Sequence, residues 1–407
     1  MRKVDARNRA REALRKPSAV GPDIELAAYG GRPARHESLD ELGDLSRKFK
    51  DEALCVGFDA GESKRSGSFF LADHSLVFSK SKREGVEVMG IESALKEYGW
   101  LEDYFWRALA PDTDKFTAQA ELNLTSGYFI RAMPGVRAEF PLQACLYMTQ
   151  EGLAQNVHNI IIAEEGAELH VITGCVTAQR VRSGLHVGVS EFYVKRNASI
   201  SFTMIHSWAE EMSVRPRSAV VIEENGVFLS NYVSMKPVRT LQTYPTAYCN
   251  GENSVARFNT LLVAPPGTSH DVGARVFLRA RGSRAEIVSR AITTGGGIFA
   301  RGHLIGEARD VKGHLECRGL ILSEKGTIHA IPELEGKLKD IDITHEAAVG
   351  KIAEEEIRYL MSRGLSSDEA TSAIVRGFLD VEIKGLPESL RAEIRRAVQM
   401  GGEERLM

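Results

Sequence analysis

The chain lacks any apolar run approaching the ~20 residues that a membrane-spanning helix requires, and its first residues hold no signal-like apolar core. A soluble, cytoplasmic protein is the expectation. Cysteine is scarce: five residues, at 55, 145, 175, 249 and 317, an odd number with no CxxC pair. That spacing argues against a disulfide framework and against a self-contained zinc site. No GxxxxGK[ST], GxSxG or HExxH pattern occurs, and Gly295-Gly296-Gly297 is not followed by Lys-Ser/Thr. Independent catalysis is therefore not expected. Net charge is only -3, and the basic first twenty residues, seven Lys/Arg against Asp5 and Glu12, hold no aromatic residue. They read as a solvated helix or mobile arm and not as a nucleic-acid surface.

What is present is a globular composition, 43% apolar over 407 residues, enough for two or three cores. Three textures divide it. Residues 1–120 mix helix signals with a hairpin signal around Asp73 and His74. Residues 121–344 are dominated by strand-like runs of Val, Ile, Phe and Thr, with no convincing helix. Residues 345–407 are helical. In the middle region one pattern recurs: an apolar run, a few polar residues, a Gly or Asn, then another strand. The turns fall at Gly166, Asn197, Gly226, Gly251, Gly282 and Gly326, spaced 25 to 31 residues apart until a last gap of 44 that hides a further coil near Gly306. Units this short cannot bury an apolar face alone and must stack, which favours a parallel β-helix over a β-sandwich.

The C-terminal texture is the most punctuated. Ile352, Ile357, Leu360 and Met361 lie at helical spacing, Gly364 offers a left-handed stop, and Ser366 with Glu369 forms a capping-box signature. Ala370, Ile374, Val375 and Phe378 then line one face of a second helix, and Pro387 opens a third.

Several segments together resemble the SufB/SufD family of iron-sulfur cluster assembly proteins. They are YFIRAMPGVRAEFPLQA, GLHVGVSEFYVKRNASISFTMIHSW, YCNGENSVARFN, ECRGLIL, HAIPELE, and THEAAVGKI with LMSRGLSSDEATSAIVRGFL. The resemblance covers roughly residues 85 to 400. It implies a mainly β fold, a right-handed parallel β-helix between an N-terminal α/β region and a C-terminal helical region. It also implies a complex with the ATPase SufC, a sulfur donor protein, and a second family chain with which a transient iron-sulfur cluster is built at the dimer interface. A flavin is compatible with the family but has no motif here.

The branch stays open. ECRGLIL places Cys317 at a SufB-like ligand position, and HEA at 345–347 is SufB-like, whereas HAIPELEGKLKDIDITHEAAVG has SufD-like spacing. Thr344 stands where the SufB pattern has an acid. Ala247 stands at the sulfur-accepting position, with Cys249 two residues on as the substitute.

A lone strand cysteine is most often a small buried hydrophobe, and a histidine at a strand end a satisfied polar residue. The resemblance turns Cys317 and His345 into expected cluster ligands. Glu346 joins them only if the strand has ended by His345, because adjacent strand residues face opposite sides. Two or three ligands from one chain cannot enclose a cluster that takes four, so a second chain is required. Cys249 as sulfur carrier needs a partly exposed thiolate. Leu360, Arg363, Gly364, Leu365, Ala370, Ile374 and Phe378 are the expected ATPase-docking residues, against the plainer reading that these helices only cap the solenoid. A structural SufD-like subunit and a carbohydrate-active β-helix are the other functions weighed. Acids concentrated at turns, such as Glu164-Glu165 and Glu223-Glu224, disfavour the latter.

Overall fold

The computed structural model describes residues 3–18 and 20–379. The chain winds through about eight turns of a parallel β-solenoid, each turn contributing a strand to each of two facing sheets. The first sheet runs from Leu142–Met148 through Glu168–Thr177, Ser199–Ser207, Val227–Ser234, Val255–Ala264, Arg284–Thr293 and Val311–Ile321 to Ile341–Gly350. The second runs from Tyr128–Ala132 through Leu153–Ala163, Ser183–Val194 and Ser269–Leu278 to Gly297–Gly306 and Thr327–Gly336. Midway the second sheet's strands split into Glu211–Val214 with Arg217–Ile222, and Thr240–Thr243 with Thr246–Cys249. Pro216 and Pro245, which have no N–H for the ladder, sit at the breaks.

Alternation fills the space between the sheets. One face of each strand, for example Phe202 and Met204, Phe228, Phe258, then Leu315 and Cys317, joins a continuous buried core. The corners follow the sequence repeat with adjustments. Positive φ falls on Gly166, Asn197 and Gly282 as expected, but on Asn225 and Asn253 in place of Gly226 and Gly251. The hidden coil turns at Asp310. Asparagine tolerates this conformation and adds a bond that glycine lacks. Asn225 donates to Asn197 at 3.0 Å and Asn253 to Asn225 at 3.4 Å, each 28 residues on.

The N-terminal region clothes both outer faces. The hairpin Gly67–Ala72 and Ser75–Ser81 extends the first sheet, and Leu42, Val56 and Phe58 pack over Phe70 and Cys145. The helix Arg47–Leu54, capped by Ser46, lies on the same side. Residues 90–109 form the helix Ile91–Glu97 and a 3-10 turn Gly99–Asp103, with Leu101 and Ala108 packed on Phe129 and Ile160 of the second sheet. The basic N-terminal helix Lys3–Ala13 is neither free nor wholly solvated. Ala10 and Ala13 pack on Ala118, and Arg9 pairs with Asp112.

The last strand does not stop at His345: it continues to Gly350. Two helices follow, Glu354–Ser362 and Ser367–Leu379. The capping box forms as expected: Ser366 N–H donates to Glu369 at 2.8 Å and Glu369 N–H to the Ser366 hydroxyl at 3.3 Å. Gly364 takes φ 99° at the intervening turn. Val375 and Leu379 bury against the outer face of the first sheet with Ile292 and Leu320. The helix expected from Pro387 lies outside the described residues.

Candidate functional site

At the C-terminal end of the solenoid the last strand of each sheet, Thr327–Gly336 and Ile341–Gly350, has a strand neighbour on one side only. The exposed large apolar side chains Leu334, Leu338 and Val349 stand on or between these edge strands. Unpaired strand edges that also expose apolar side chains are templates for pairing with another chain.

Cys317 lies one strand inside this edge. Its pleat direction is that of Leu315, toward the core, and its register neighbours are Ser289 and Ala347. It is 2% exposed, and burial, followed by the neighbouring Glu316 charge, pushes its thiol up to about 11. His345 is the register partner of Leu315, so it shares Cys317's face of the sheet but stands on the open edge, exposed. A strand spacing of ~4.8 Å and a rise of ~3.3 Å per residue put the Cα atoms of Cys317 and His345 roughly 8 Å apart.

Glu346 does not join them. Because the strand continues, Glu346 points to the opposite face, beside Glu316. There Arg290 contacts Glu316 at 2.7 Å, Glu316 contacts Arg318 at 2.8 Å, and Arg318 reaches Glu346 at 3.3 Å. This alternating row runs beside the C-terminal helix, with the Arg290 guanidinium 5.8 Å from the Phe378 ring centre. Arg318 is the residue that sequence reasoning missed. The pattern E-C-R around Cys317 holds the signal, since residues flanking an inward cysteine must face out.

Cys249 also differs from expectation. It faces the core beneath the strand Thr246–Cys249, is fully buried, and its thiol is pushed up to about 12 by desolvation. A partly exposed thiolate is not what the fold presents there. Cys175 and Cys145 are buried too, whereas Cys55 is half-buried at a helix end. His329 and Glu333 lie on a strand, with the His329 ring stacked on Phe299.

Among the residues expected to dock an ATPase, Ala370 is wholly buried in the chain's own packing, and Leu360, Leu365, Ile374 and Phe378 are half-buried. Arg363 and Gly364 are exposed at the turn, beside Tyr359 at 59% and Met361 at 46% exposure.

Among the described residues, no three His, Cys, Asp or Glu side chains converge as a metal site. Cys317 and His345 are two donors of borderline softness on one face of the sheet, beside the open strand edge. No helix among the described residues is long and apolar enough to cross a membrane.

Comparison with known proteins bears on this geometry. Residues 146–378 match the family model for the SUF system FeS cluster assembly SufBD core domain. An iron-sulfur cluster assembly SufBD family protein of Methanothermobacter thermautotrophicus (strain Winter) is 48% identical over 402 residues, covering 97% of this chain and 98% of its own. One from Archaeoglobus fulgidus is 52% identical over 370 residues, covering 91% and 99%. The iron-sulfur cluster assembly protein SufB of Bacillus subtilis is 32% identical over 391 residues, covering 92% and 82%.

Proposed function

The chain belongs to the SufBD family of iron-sulfur cluster assembly proteins, and we propose that it is a scaffold subunit that builds a nascent cluster where its open solenoid end meets a second family chain. The observation that carries this reading is the placement of Cys317 and His345 on one face beside an unpaired strand edge at which Leu334, Leu338 and Val349 are exposed. A second chain docked on that edge buries Leu334, Leu338 and Val349 and supplies the missing ligands. The cluster is cargo: one thiolate and one imidazole hold iron without saturating it, which leaves the cluster transferable.

Glu346 acts at a distance in this scheme. Through Arg318 and Glu316 it ties the edge strand to the face on which the C-terminal helices pack. A SufC-type ATPase docking on the exposed tip, Tyr359, Met361, Arg363 and Gly364, is thereby connected to the cluster edge. Cys249 is not retained as sulfur acceptor, and sulfur from a donor protein reaches Cys317 by another route. The carbohydrate-active alternative loses support because outward acids are engaged, as in Lys195–Glu223 and Arg131–Glu164.

Anaerobic reconstitution with iron and sulfide in the presence of the ATPase, read by absorbance and Mössbauer spectra, tests the proposal. Wild type is expected to hold a cluster that Cys317→Ala and His345→Ala lose. No cluster in the wild type leaves a structural subunit as the function.

A further inference from the structure

Ser289 is the register neighbour of Cys317 on the strand Arg284–Thr293, one step further from the open edge. Paired positions on adjacent strands point to the same face, so the Ser289 hydroxyl enters the core alongside the thiol. The two Cα atoms stand one strand spacing apart, ~4.8 Å. Each side chain ends one bond past its β-carbon, and rotation about χ1 alone turns oxygen and sulfur toward each other.

The fold makes no use of this hydroxyl. Ser289 is 2% exposed, and its Oγ has no hydrogen-bond partner among the described residues. A buried hydroxyl without a partner carries its full desolvation penalty, which alanine at the same place would avoid. The contrast lies on the same strand and the same face: Thr293, also buried, donates to the Gly296 carbonyl at 2.7 Å and lies 3.1 Å from the Ala264 carbonyl. Thr293 is satisfied by the chain itself and Ser289 is not. An orphaned buried group of this kind points to a partner that the resting chain does not supply.

Cys317 needs a donor once it ligates iron. Around it on this face Ile287, Ala291, Leu315, Ala347 and Val349 are apolar, and Gly319 has no side chain. His345, the remaining polar neighbour, would be held by the same metal. A ligating sulfur keeps lone pairs beyond the one it gives the metal, and hydrogen bonds to those lone pairs tune the metal–sulfur bond. Ser289 is the side-chain donor at hand.

We propose that the Ser289 hydroxyl donates a hydrogen bond to the sulfur of metal-bound Cys317, as a positioning residue and not a ligand. The inference rests on the reading of Cys317 as an iron ligand. Anaerobic titration of the full-length chain with cobalt(II), in the presence of the ATPase, tests it through the thiolate-to-cobalt charge-transfer band. Wild type is expected to show a band that Cys317→Ala loses. Ser289→Ala should move the band to lower energy, because the sulfur lone pairs lose a stabilising donor, and should weaken cobalt about tenfold, the worth of one charge-assisted hydrogen bond. Ser289→Thr, which keeps the hydroxyl, should retain both. The metal-free Ser289→Ala chain should unfold at a urea midpoint no lower than that of wild type, since the orphaned hydroxyl is gone. A lowered midpoint would make Ser289 a structural residue and overturn the proposal, as would a band unchanged in energy and affinity. A wild type with no band that depends on Cys317 would overturn the ligand assignment, and this proposal with it.

Discussion

A buried thiol and an exposed imidazole share one face at the open end, and the proposed function makes both of them iron ligands. Burial holds Cys317 protonated at neutral pH, with its thiol pushed up to about 11, so iron must displace a proton to form the thiolate bond. Iron affinity is therefore expected to rise with pH, by about tenfold per unit between pH 7 and 9 for one proton released. Anaerobic iron titration in that range checks this, and Cys317→Ser should flatten the dependence. A flat wild-type profile would mean that the thiol is not the ligand. The sequence pointed to Cys317 and His345 only through the family's motifs, and that they share a face follows from strand register. Glu346 was misjudged because AAVG reads as a strand end, whereas pairing with Val311–Ile321 carries the strand to Gly350. Tertiary pairing overrode the local signal there.

Between residue and molecule stands the C-terminal helix pair. Its punctuation was readable because caps are local: Gly364 supplies the positive φ, and Ser366 with Glu369 bond reciprocally. Which face it shows was not readable, since both the solenoid and a partner demand an apolar stripe. The structure divides them, with Val375 and Leu379 on the chain's own sheet and Tyr359 and Met361 outward. Val375→Ala is expected to destabilise by roughly 2 kcal/mol through the cavity it leaves, seen as a lowered urea midpoint. Tyr359→Asp and Met361→Asp should leave the stability within about 0.5 kcal/mol of wild type and lose co-purification with the ATPase. Retained co-purification would place docking elsewhere.

At the scale of the whole molecule, stacking was legible from the repeat, and the number of sheets was not. The spacing of Gly and Asn marks corners but carries no information on whether two or three strands separate them. The N-terminal cladding was equally hidden, because Leu42, Val56 and Phe58 are distant in sequence from the strands they cover. The open end makes the molecule's oligomeric state testable. Leu338→Asp with Val349→Asp is expected to shift the mass measured by light scattering from a dimer to a monomer while the circular dichroism spectrum is retained. A dimer that survives both substitutions would move the interface away from the strand edges.

The asparagine ladder turns the solenoid into a ruler. Asn197, Asn225 and Asn253 repeat at 28 residues with bonded side chains, so each coil advances the axis by one strand spacing, ~4.8 Å. Length along this axis is quantised. A relative that gains or loses one such coil between Asn225 and Asn253 displaces its open end by one step along the axis, and that end presents the same face.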